Sequence, residues 1–67
     1  MEIKVKDIAE EGWYVAEDIR TKLDNHDYTG LDFLFGKLTA YVDITMSEPL
    51  AEALMVLEER KEAEASE

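Results

Sequence analysis

Residues 31–46, LDFLFGKLTAYVDITM, hold only three charges, Asp32, Lys37 and Asp43, whereas the 67-residue chain as a whole carries 17 acidic and 7 basic residues. A stretch this apolar must be buried in some regular form, and two forms compete. Read as a helix, it places Leu31, Leu34, Phe35, Leu38 and Val42 on one face. That reading puts Gly36 in a helix interior beside the poor helix formers Thr39, Val42, Ile44 and Thr45. Read as a hairpin turning at Gly36-Lys37, it pairs Phe35 with Leu38, Phe33 with Ala40 and Leu31 with Val42 on one face, which Ile44 and Met46 continue. The opposite face then carries Asp32, Leu34, Thr39, Tyr41, Asp43 and Thr45, and a glycine in the first turn position suits a type II′ turn. The hairpin is the expected form.

The flanking segments fit around it. EIKVK alternates, with Ile3 and Val5 on one side, as a short strand does. Asp7 followed by Glu10 has the form of a helix start, and a helix over about 8–25 puts Ile8, Gly12, Val15, Ala16, Ile19 and Leu23 on one stripe. Asp18 and Lys22 are spaced as an i,i+4 pair on its outside. The turn-forming run DNHDYTG ends that helix. Ser47, Glu48 and Pro49 open a last helix to about Ala63, with Leu50, Ala53, Leu54 and Leu57 on its core stripe. The order strand, helix, strand, strand, helix is an α+β fold, βαββα, in which two helices cover one face of an antiparallel sheet. It forms one small domain over residues 1–64, followed by a frayed acidic tail at 65–67.

Composition excludes several kinds of chemistry. With no cysteine, disulfides, thiolate metal sites and cysteine nucleophiles are absent. One histidine, His26, and two serines, Ser47 and Ser66, form no nucleophile–base constellation, and so small a body encloses no pocket in which to desolvate a catalytic carboxylate. An enzyme is not expected, nor is a cofactor. DNHDYTGLDF echoes an EF-hand loop, but in that register the third and fifth positions are His26 and Tyr28 and the twelfth, which should be glutamate, is Phe35. A polar connecting loop with no metal is the expected reading, with His26 capping the core stripe.

The formal charge of −10 repels nucleic acid and anionic lipid and attracts basic protein surfaces. No apolar run is long enough to cross a bilayer, and the opening residues lack the pattern of a signal peptide, so a cytoplasmic location is expected.

Two local resemblances point elsewhere. VDITMSEPLAEALMVL, about a quarter of the chain, resembles the strand and first helix of ribbon-helix-helix DNA-binding proteins. That family inserts basic or amide side chains from its ribbon into the major groove, and the resemblance places Tyr41, Asp43 and Thr45 there, including an acid. IKVKDIAEEG and GKLTAYVDITMSEPL are similar to the bacterial YceD-like family linked to ribosomal RNA accumulation, whose paired cysteines are missing here.

Apolar residues that the expected core does not use suggest contact with another chain, because aromatic residues and methionine are enriched at interfaces. These are Trp13 and Tyr14 on the first helix, Leu34 and Tyr41 on the hairpin's outer face, and Met55 and Val56 on the last helix. Glu10, Glu17, Asp18, Glu52 and Glu59 lie beside them as steering charges. The expected function is a non-enzymatic interaction module that docks on a basic partner surface, such as that of a nucleic-acid-binding protein, acting as an inhibitor or nucleic-acid mimic. Phage-type inhibitors share this size and charge. The alternative is a self-associating structural or regulatory domain, a homodimer through Met55 and Val56 or the edge strand, or a ribbon-type antitoxin.

Overall fold

The computed structural model describes residues 5–65. They form three helices, α1 Val5–Asp24, α2 Leu31–Thr45 and α3 Glu48–Ala65, with no strand among the described residues. The fold is therefore an all-α bundle and not an α+β layer. Of the expected first strand, Glu2, Ile3 and Lys4 lie outside the described residues, while Val5 and Lys6 open α1. Ser66 and Glu67 of the expected tail also lie outside them.

The largest correction is at residues 31–46, where one helix runs through Gly36 without a turn and ends at Thr45. The stripe Leu31, Phe35 and Leu38 is buried, and Leu34, Tyr41 and Val42 pack against it. A hairpin would bury Phe33, Phe35 and Ile44 together, whereas the helix buries Phe35 and turns Phe33 and Ile44 outward. The helix prevails because α1 and α3 each offer a narrow apolar stripe, which a third stripe fills and the broad face of a sheet does not. The segments that resemble a DNA-binding ribbon and the YceD-like pattern lie, where described, within helices and their connections, so no ribbon forms among the described residues.

The stripes expected on α1 and α3 are buried except at Ile8 and Ala53, which are half-buried. Val15, Ala16, Ile19 and Leu23 pack with Leu31, Phe35 and Leu38 of α2 and Leu50, Leu54 and Leu57 of α3. A fully buried leucine or isoleucine contributes about 1.5–3 kcal/mol, and Ile19, Leu23, Leu38 and Leu50 are sealed from solvent. Gly12 lets the helices meet closely, since a methyl group there would come within 2.6 Å of Leu50 Cδ2 and 3.4 Å of Tyr41 Cβ.

Unusual residues set the helix ends. His26 adopts a left-handed backbone, φ 55°, and the His26 and Asp27 amides donate to the Leu23 and Lys22 carbonyls at 3.1 and 2.8 Å. This is a Schellman closure with histidine where glycine is usual. His26 is thus exposed in the loop and does not cap the core stripe. Lys22 does not pair with Asp18 but donates to the Thr29 carbonyl at 3.0 Å and to Asp27 at 3.3 Å. Met46 ends α2, also left-handed at φ 52°, and its amide donates to the Val42 carbonyl. Ser47 then caps α3, its Oγ accepting from the Leu50 amide at 3.4 Å, as its sequence position implies.

Candidate functional site

The body measures 45 × 20 × 15 Å, so its core is a single layer and every helix keeps one face in solvent. α1 and α2 pack more extensively against each other than α3 does against either, so α3 is the more loosely held. That looseness opens a groove of about 250 Å³ between α1 and α3, lined by Trp13, Ala16, Ala53, Val56 and Leu57, with Glu17 and Arg20 at its edge. Trp13 is 45% exposed and Val56 62% exposed. The i,i+3 pair Arg20–Glu17, at 2.6 Å, holds the rim.

Among the residues expected to meet a partner, the fold brings Trp13, Val56 and Glu17 together in this groove. Glu10 lies one turn before Trp13, and Glu52 and Glu59 lie one turn to either side of Val56, all exposed. Tyr14 stands on the outer side of α1 between Glu10 and Asp18, away from the groove. Met55 is exposed on the opposite flank of α3 from Val56, by helical spacing. Leu34 and Tyr41 form no exposed hairpin patch, because both are half-buried against the core.

A different surface escapes the hairpin reading. That reading places Phe33, Ile44 and Met46 in the core, and the structure exposes all three, with Tyr28 besides. The signal for this surface is the helical reading of residues 31–46, which leaves Phe33, Ala40 and Ile44 off the buried stripe.

The α2–α3 side of the bundle is crossed by charge. Lys61 donates to Asp32 at 2.9 Å, and its ammonium lies 5.1 Å from the centre of the Phe35 ring. That hydrogen bond holds the Asp32 carboxyl below the usual carboxylate range. Arg60 bridges Asp24 and Glu64, and the Asp24 hydrogen bond pushes its guanidinium pKa up. In the loop, the Thr29 amide donates to Asp27 at 3.0 Å and lowers that carboxyl's pKa, with Lys22 adding to the effect. Of the acids in the segment that echoes a calcium loop, Asp27 is engaged in the turn, while Asp24 and Asp32 pair with Arg60 and Lys61 of α3.

No helix among the described residues is long and apolar enough to cross a membrane. Comparison with protein-family models, curated proteins and solved structures finds no match.

Proposed function

We propose that this protein is a non-enzymatic interaction module whose α1–α3 groove receives an apolar side chain from a basic protein surface, of the kind that otherwise binds nucleic acid. The observation that carries this reading is the pairing of exposed Trp13 and Val56 across an apolar groove on the two most acidic helices. Trp13 and Val56 act as the anchors, and Glu10, Glu17, Glu52 and Glu59 steer a cationic partner toward them. Occupying such a surface would exclude its nucleic acid, which is how a mimic inhibits.

Trp13 is the sole tryptophan, so its fluorescence reports the groove directly. A helical peptide of leucines on one face and lysines elsewhere should shift its emission to the blue and bind more weakly as salt rises. Val56→Glu should abolish the shift. A peptide that binds Val56→Glu as well as the parent, or polylysine that matches the peptide, would mean that charge alone is recognised and the groove is not a site.

A further inference from the structure

We propose that the outer face of α2 packs against the same face of a second copy of this chain, in parallel about a two-fold axis. At 100° per residue, Phe33, Ala40 and Ile44 lie within about 40° of one another on the side away from the core. Phe33 is 72% and Ile44 58% exposed. Gly36 borders them, and a methyl group there would meet nothing within 4 Å. Its backbone is not left-handed either. Nothing among the described residues therefore requires glycine at a position where it weakens the helix, whereas close approach of another backbone does require it.

Charge selects the occupant. α1 carries nine charged residues and α3 eight, but α2 only Asp32, Lys37 and Asp43. Two molecules of charge −10 repel least when they meet through α2. Lys37 and Asp43 flank Ala40 on opposite sides by about 60° each, and neither has an ion-pair partner among the described residues. A two-fold axis parallel to the helix sets the Lys37 edge of one copy against the Asp43 edge of the other, with about 9 Å between the two residues along the axis. An antiparallel arrangement would instead set like edges together. The face is thus complementary to itself in charge. One helix of 15 residues is about 22 Å long, which is a small interface, so association on the order of micromolar is expected.

The test is light scattering of the full chain across a wide concentration range, together with single-cysteine variants, which the absence of native cysteine makes clean. The mass should rise from 7.7 kDa toward twice that value. Ala40→Glu should weaken association on the order of a hundredfold, because it buries two carboxylates across the axis. Under mild oxidation Ile44→Cys should form a disulfide dimer much faster than Glu59→Cys. A mass fixed at the monomer value, or equal cross-linking of the two cysteine variants, would overturn the proposal. Cross-linking of Ala40→Cys without that of Ile44→Cys would overturn the parallel arrangement. Because Ala40 and Ile44 are exposed, these variants are expected to fold, and circular dichroism checks that they do.

Discussion

α2 and α3 both leave large apolar side chains in solvent, yet in opposite electrostatic settings. Val56 stands between Glu52 and Glu59 on a helix with eight charges, while Phe33 and Ile44 share a face bordered by one lysine and one aspartate. Equal exposure therefore does not imply equal partners. An apolar residue among carboxylates selects a cationic surface and repels its own kind, whereas one on a nearly neutral face tolerates a second copy.

The two surfaces are separated most forcefully by a change at Gly12, where α1, α2 and α3 meet. Gly12→Ala forces its methyl group against Leu50, an overpacking cost of about 1–3 kcal/mol offset in part by the roughly 1 kcal/mol that alanine gains over glycine within α1, so a net loss of stability is expected in urea denaturation. If α3 is displaced in the process, peptide binding at Trp13 should fall while association through α2 persists. Gly36→Ala divides them more finely, since it should stabilise the isolated chain by about 0.5–1 kcal/mol and yet weaken association. A gain in both would mean that no backbone approaches Gly36. His26→Gly should relieve the left-handed strain at the end of α1 and raise stability by roughly 0.5–1 kcal/mol, without changing either surface.

The smallest effect concerns pH. Asp27 and Asp32 have folded pKa values held below their ordinary 3.8. A depressed carboxyl contributes stability above its unfolded pKa and loses it as pH falls through the folded value. The contribution should therefore fade on acidification below about pH 4, and Asp27→Asn, which keeps the turn's acceptor, should flatten that fade slightly in acid-melting curves. An unchanged acid melt would mean that the charge on Asp27 does not hold the turn.

How much of the fold is legible in the sequence depends on the helix. The stripes of α1 and α3, and the cap at Ser47, follow from spacing and residue type. α2 misleads because Gly36-Lys37 imitates a turn and Thr39, Val42, Ile44 and Thr45 favour strands locally, while the deciding influence is the tertiary fit of Leu31, Phe35 and Leu38 against α1. The hairpin reading also hides the α2 surface, since it consumes Phe33 and Ile44 in the core. Of the groove, Trp13, Val56 and the acids beside them are legible as spare surface, but their meeting between α1 and α3 depends on how the helices pack. The end of α1 is announced by DNHDYTG, but the end of α2 is obscured, because Met46 occupies a left-handed position where glycine would have marked it.

Six residues join α1 to α2, and only Met46 and Ser47 join α2 to α3. Successive helices are thus close along the chain, and pairing α1 with α2 and α2 with α3 closes only short loops. Chains with such local contacts fold in microseconds to milliseconds, so newly made copies spend little time with their apolar stripes uncovered.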